Sequence, residues 1–403
     1  MAEGPQQAVV GEAAQPGVDG IPGDAQGPRQ GEDRRDVAGA GRVLLGVVQV
    51  AGMLGGLTVS LLAELAGERR CLLAGLAMAS AGSACGAVAG SVTALLISRV
   101  IEGAGSVLTV VAGPGLIRRH TPPERLNTAI GYWGGFTGIA ALAGLAGSAV
   151  MLQFVSWRVL WWVLTAVTVA PLPLVAAGLP PDEPRGTAGV AAAAARIGGT
   201  IRSARPWIAG LIFGCFTIQW MTVLGFLPTI YARDGLHGIW PGVLTGVAGG
   251  IGAAGSIATV PLLQRGVPVR ALLIPAFAAM AVTSVLTFAV HWAALPAGEI
   301  GEFGCVAAFS FTGAAIPATL LRIAVDLAPP GGSTAATIGL MQQIFNSGSV
   351  AGPAMVAWLV TLTGDWRATW WMTCTFAAVG GLLSGYLSER RLGVAFGCAS
   401  VSR

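Results

Sequence analysis

Residues 157–162 read Trp-Arg-Val-Leu-Trp-Trp, and residues 366–371 read Trp-Arg-Ala-Thr-Trp-Trp. Each copy follows a Gly-rich apolar stretch and opens another one. The two stand about half a chain length apart, which indicates two homologous halves. Such a layout is common where a solute path runs between internal repeats in a membrane.

The surrounding composition supports that setting. Of 403 residues, 54% are hydrophobic and only 10% are charged, with a mean hydropathy of +0.72. An ordinary soluble domain carries roughly 25% charged residues. Too few polar side chains exist here to coat a folded surface in water, so most of the exterior faces lipid. There only helices and closed barrels satisfy their backbone hydrogen bonds. Long continuous apolar stretches, rather than short alternating ones, point to helices. The 60 glycines suit them, because small residues let helices approach closely where packing replaces water exclusion.

Working outward from the repeat, charges, Gly-Pro pairs and polar loops bound eleven expected spans. They are 43–66, 71–90, 92–117, 127–153, 158–178, 206–231, 239–264, 270–291, 298–324, 333–361 and 367–387. Residues 1–41, rich in Gly, Pro, Gln and acids, are expected to be a disordered tail and contain no signal-like apolar core. The first bundle is placed at 42–179 with five spans, a linker at 180–205, a six-helix bundle at 206–390 and a tail at 391–403. The Ala-rich middle of the linker fits a short helix lying on the membrane or a flexible connection equally well. If the halves match, the partner of span 206–231 falls before residue 43, where no span is legible. A first helix is therefore expected to be missing, through a wrong start, a frame change or a working eleven-span design.

All 23 basic residues are Arg; with abundant Ala and Gly this suggests a GC-rich bacterial gene. Arg69 and Arg70, then Arg118, Arg119 and Arg125, then Arg185, Arg196, Arg202 and Arg205, then Arg265 and Arg270, then Arg322, then Arg390 and Arg391 fall at alternate connections. Positive residues stay inside, so the linker and C-terminus are expected in the cytoplasm, with the protein multi-pass in the inner, plasma membrane. The net charge of +4 gives no reason to expect a nucleic-acid partner. The cysteines lack ligand spacing and the histidines are isolated, so no metal or other cofactor is expected. A chain without Lys cannot form a GxxxxGK[ST] nucleotide loop.

After the first span stands Ser60-Leu-Leu-Ala-Glu64-Leu-Ala-Gly67-Glu68-Arg69-Arg70. This resembles the G-x-L-a-D-r-x-G-r-r loop of the major facilitator superfamily, which joins that family's second and third helices. Ser60 replaces Gly, Glu64 replaces Asp, and Leu65 and Glu68 replace basic residues. Arg99-Val-Ile-Glu102-Gly103-Ala-Gly105 is similar to the fourth-helix pattern R-x-x-q-G-x-G, and Gly348-Ser-Val-Ala-Gly352-Pro353 to a packing element G-x-x-x-G-P. The corresponding region before Trp157, around Gly144, Gly147 and Ser148, lacks the Pro. With the repeat, the resemblance covers residues 43–390. Phrases around Gln219-Trp220 and Gln343-Ile-Phe-Asn346 look like the branch containing cyanate and nitroimidazole transporter relatives. The resemblance implies an all-α membrane protein with the two-bundle major facilitator-type fold and about 11 transmembrane helices.

Candidate sites follow from chemistry. Glu64, with Gly67, Arg69 and Arg70, is read as a gate: a carboxylate near a helix end can pair with a cation or a helix N-terminus in one state and release it in another. Simple interfacial snorkelling is the competing account. Arg99 and Glu102 lie i, i+3 on one helix face within lipid, where charges are functional or paired. Arg99 is a substrate-binding candidate. Glu102 and Glu302 are coupling candidates, against a structural ion pair for the first and an exposed entry acid for the second. Tyr132, Gln219, Trp220, Gln343 and Asn346 complete the substrate-binding set; helix-to-helix hydrogen bonding is the alternative use of the amides. Six tryptophans, 157, 161, 162, 366, 370 and 371, read as interfacial anchors.

The function expected is secondary active transport of a small solute by alternating access, carried out by a monomer and not enzymatic. An organic anion or a drug-like compound is the candidate cargo, with protons as candidate coupling ions and the lipid bilayer as partner. A truncated, transport-inactive relative is the second reading. A membrane-embedded enzyme is the third, and no nucleophile/base or metal constellation supports it.

Overall fold

A computed structural model describes residues 48–182, 189–233 and 235–387. The expected tails, 1–41 and 391–403, and linker residues 183–188 lie outside the described residues. Among the described residues, ten helices are long and apolar enough to cross a membrane. In the first lobe they are α1 (Val48–Ala66), α2 (Glu68–Val88), α3 (Val92–His120), α4 (Pro123–Met151) and α5 (Trp157–Gly178). A connecting helix, α6 (Gly189–Arg202), leads to the second lobe. There α7 (Ala204–Ala232), α8 (Trp240–Gln264), α9 (Val269–Ala289), α10 (Gly298–Ile323) and α11 (Thr334–Thr363) follow. The eleventh expected span is α12 (Thr369–Tyr386), shorter at 18 residues and richer in Thr and Trp. No strand occurs among the described residues.

Local chemistry explains the helix ends. Ser91 caps α3 by accepting from the Ala94 N–H at 3.2 Å, while Arg118, Arg119 and His120 sit on its negative C-terminal end. Ser333 caps α11 through the Ala336 N–H at 3.0 Å. That helix runs 30 residues to Gly364, whose φ of 70° supplies the left-handed stop. Four spans are interrupted: α4 at Gly135 and by a π-helical turn at Leu142–Ala146, α5 at Ala170, α7 at Gly225 and α10 at Ala314. Such breaks have local causes: here glycine stands at or beside those in α4, α7 and α10, and Pro171 follows the one in α5.

Small residues set the packing. In the first lobe Gly75 and Gly82 of α2 abut α3, and Gly86 abuts Trp161 of α5. In the second, Gly348 and Gly352 of α11 receive α7, and a large apolar core gathers around Phe277, Phe309, Ile212 and Met280. The lobes meet along two seams. Gly52, Gly56 and Ser60 of α1 lie against Asn346, Gln343 and Gly339 of α11; Gly138, Ala141 and Ala146 of α4 lie against Ala253, Gly249 and Gly246 of α8. Matching the two Trp-Arg copies equates α1–α5 with α8–α12. Exchanging the halves then turns the α1·α11 seam into the α8·α4 seam, which is the relation expected of a duplicated bundle.

Candidate functional site

The arginine-bearing connections converge at one end of the bundle. Glu64, at the end of α1, binds two elements at once. Its Oε1 accepts from Ser333 Oγ at 2.6 Å, and its Oε2 accepts from Arg196 Nη2 at 2.7 Å and Nε at 3.2 Å. Because Ser333 is the cap of α11, the carboxylate is tied to that helix's positive end through the capping hydroxyl. Beside it Ser60 Oγ donates to the Ala335 carbonyl at 2.9 Å. Gln264 Nε2 donates to Thr128 Oγ1 at 2.9 Å, and Arg118 stands 3.8 Å from Asp326. These contacts fasten the first lobe to the second at the Arg-rich end.

Gly67, Arg69 and Arg70 perform a different task from Glu64. Gly67, at φ 99°, precedes α2, and a Cβ there would run into Asp182. Asp182 accepts from the backbone N–H groups of Arg69 at 3.3 Å and Arg70 at 2.9 Å, capping α2 from beyond α5. The Arg69 guanidinium donates to the Ala176 carbonyl at 2.6 Å. Glu68, where the family pattern has a basic residue, pairs with Arg119 at 3.4 Å. These contacts knit the loop within the first lobe, while Glu64 reaches the second.

Arg99 and Glu102 form an ion pair inside the first lobe. The Arg99 guanidinium also lies 3.9 Å over the Trp161 ring, and Ser83 Oγ donates to Glu102 Oε1 at 3.4 Å. These partners belong to α2, α3 and α5. Gln343 and Asn346 sit together on the α11 face covered by Gly56 and Gly52 of α1. Asn346 donates to the Gln342 carbonyl at 2.8 Å, and Gln343 Oε1 is buried without a hydrogen-bond partner among the described residues. Gln219 is fully buried in the second lobe, donating to the Cys215 carbonyl at 3.0 Å, with Trp220 packed on the same core. Tyr132 is 62% exposed on α4, whereas its neighbour Trp133 packs against Gly113 of α3. Glu302 is half-buried in α10, remote in sequence from the other candidates. The structure therefore brings together Gln343 and Asn346, and Arg99 and Glu102, but does not join the two pairs.

The repeated Trp-Arg motif proves to be a staple. Arg158 donates to the carbonyls of Ala87 at 2.9 Å and Ala89 at 3.2 Å, stopping the C-terminal end of α2, and lies 4.6 Å over Trp157. In the second lobe Arg367 contacts His291, just past α9, the counterpart of α2. Trp157 is buried and Trp161 packs on Arg99, so these two are internal packing residues rather than the interfacial anchors expected; Trp162 and Trp371 are exposed. Sequence reading missed Asp182, Arg196, Thr200, Ser333 and Asp326. Only Ser333 carried a local signal, as a Ser ahead of an apolar helix; the others matter through partners far away in the chain.

The model of the Major Facilitator Superfamily matches residues 36–333. The chain belongs to that superfamily. It is a multi-pass membrane protein of the transporter type, and its relatives are transporters rather than enzymes. The Tetracenomycin C resistance and export protein of Streptomyces glaucescens is 34% identical over 116 residues, 29% of this chain and 22% of that one. The uncharacterized transporter YebQ of Escherichia coli (strain K12) is 28% identical over 137 residues, 34% of this chain and 30% of that one. The chain thus matches less than a third of the length of these curated relatives. Among solved structures, the human organic anion transporter MFSD10 (TETRAN) superposes with a TM-score of 0.69 at 16% identity, covering 87% of this chain and 84% of that one. The Escherichia coli fucose:proton symporter FucP gives 0.68 at 14%, covering 88% and 92%. At those identities the likeness concerns the fold.

Proposed function

We propose that this superfamily member is a secondary transporter exporting a drug-like organic compound, coupled to protons, by rocking its two lobes about the α1·α11 and α4·α8 seams. The observation that carries the reading is Glu64 holding the cap of α11 across the lobe boundary. A bond of that kind can be made in one state and lost in another. The Arg-rich end is assigned to the cytoplasm, in a bacterial inner membrane, and the conformation described is one closed on that side. Drug-like cargo is placed first because of the 34% identity to the tetracenomycin C export protein. The phrases resembling the cyanate and nitroimidazole branch gain no support from that relative. Arg99, whose Nε has no hydrogen-bond partner among the described residues, is retained as a cargo contact, with Gln343 and Asn346 meeting cargo once the α1 seam parts. Tyr132, Gln219 and Trp220 have weaker geometric support. Glu102 and Glu302 are the proton-site candidates. The divisions at 42–179, 180–205 and 206–390, and action as a monomer, belong to the same proposal.

The test is accumulation of tetracenomycin C in everted membrane vesicles holding the full chain. Uptake above vesicles without the protein, abolished by an uncoupler, is expected; uptake equal to the control refutes export of this compound. The second reading is a chain that inserts without transporting. Gly348 and Gly352 are filled by α7, whereas Gly144 and Gly147 of the equivalent α4 face open space. Matching the halves places the counterpart of α7 ahead of α1, outside the described residues. A chain that binds the compound but never accumulates it would favour that alternative.

A further inference from the structure

The superfamily pattern has a basic residue directly after the acid of the loop, and here that position is Leu65. The cation beside Glu64 comes instead from α6, more than a hundred residues further along. Arg196 grips one carboxylate oxygen with two nitrogens, at 2.7 and 3.2 Å. The pair is partly shielded, with side-chain exposures of 39% for Arg196 and 17% for Glu64. The other oxygen is left for Ser333.

The helix carrying Arg196 is fastened to the second lobe. Its buried positions Ala193, Ile197 and Thr200 recur every three or four residues, so one face is docked. Thr200 Oγ1 accepts from the Ser333 backbone N–H at 2.9 Å. Trp207 of α7 donates to the Ile201 carbonyl at 2.8 Å, holding the far end of α6. Ser333 is therefore gripped twice: its N–H by Thr200 and its hydroxyl by Glu64. Arg196 and Ser333 present two donors, both fixed to the second lobe, to one carboxylate of the first lobe.

We infer that Arg196, set in place by the contact of Thr200 with Ser333, is a positioning residue of the gate, which makes the linker helix a latch on the closed Arg-rich end. The inference rests on the reading of Glu64 as the gate. When the lobes part, α6 travels with the second lobe and Arg196 leaves Glu64 in the same movement that withdraws Ser333. The state of the linker and the state of the gate are then one equilibrium.

The test uses the full chain in everted vesicles with an Ala335→Cys reporter. Ala335 is buried in the apolar cluster that holds Val59, Ala63 and Val107 of the first lobe, so a thiol there is reached only when the lobes separate. Labelling by a membrane-impermeant maleimide is read above the background of the native cysteines. Arg196→Gln should raise the labelling rate about tenfold, the equivalent of about 1.4 kcal/mol, and Arg196→Lys by less. In a Glu64→Gln background the same Arg196→Gln change should add nothing, because the residue acts through Glu64. Thr200→Val, which keeps the shape of α6, should also raise labelling. A rise with Glu64→Gln but not with Arg196→Gln or Thr200→Val overturns the latch and leaves the gate standing. An equal increment from Arg196→Gln in both backgrounds marks a merely structural residue and also overturns the latch. No rise with Glu64→Gln overturns the gate itself. If Arg196→Gln fails to insert, Arg196→Lys and Thr200→Val decide by the same criteria.

Discussion

Gly56→Ala should force the Arg-rich end apart. A Cβ at this position of α1 would lie 2.9 Å from the Gln343 Cβ and 3.2 Å from the Gly339 carbonyl carbon, and closer still to the Gly339 oxygen. Carbon atoms prefer roughly 3.5–4.0 Å, and the obstacle is largely backbone, which cannot rotate away. The seam must widen by several tenths of an ångström at least. Overpacking of that kind costs about 1–3 kcal/mol, and the cost falls only on the state in which α1 and α11 touch. Relieved on opening, it shifts the closed-to-open ratio by about 5- to 150-fold. The control is Gly55→Ala, one residue away, where a new Cβ meets nothing within 4 Å. Labelling of the Ala335→Cys reporter should rise sharply for Gly56→Ala and stay at the parental rate for Gly55→Ala. Equal labelling of the two variants would refute the idea that α1 and α11 form a seam that parts.

Three further outcomes are expected. Arg99→Met should strand Glu102 in the first lobe and cost about 3–5 kcal/mol, while Arg99→Met with Glu102→Met should recover most of it; thermal unfolding in detergent measures both, and loss of transport in the recovered double variant would mark the pair as functional. Arg158→Ala should cost about 2–3 kcal/mol, since it removes charged hydrogen bonds to two carbonyls ending α2, and unfolding should begin in the first lobe; an unchanged melting temperature contradicts the staple. Asp182→Ala should cost about 1 kcal/mol through loss of the α2 cap, with Asp182→Asn milder; hydrogen exchange at the Arg69 and Arg70 amides reads it directly.

Much of the architecture was legible because lipid simplifies the code. Charges and Gly-Pro pairs mark the ends of apolar stretches, and the expected span 92–117 lies within α3 while 333–361 nearly coincides with α11. The Ala-rich stretch left open between helix and linker is helical in α6. Both copies of the Trp-Arg repeat stand at the start of a helix, α5 and α12, yet the chemistry of the first was misread. A tryptophan such as Trp161 looks the same in sequence whether it rests at a membrane surface or folds inward against Arg99, and only the neighbouring helix decides.

The candidate site divides along the same line. Glu64 could be selected from its own surroundings, being an acid at a helix end inside a recognisable loop. Its partners could not: Arg196 and Ser333 lie 132 and 269 residues away, and nothing local distinguishes that arginine from its neighbours on α6. Composition and long apolar stretches alone established a helical membrane protein, because hydropathy and small-residue content act within a single segment. Which polar groups meet across the lobes was decided by tertiary structure, since a charge–charge or hydroxyl contact depends on the final positions of two helices and leaves no mark on either one separately.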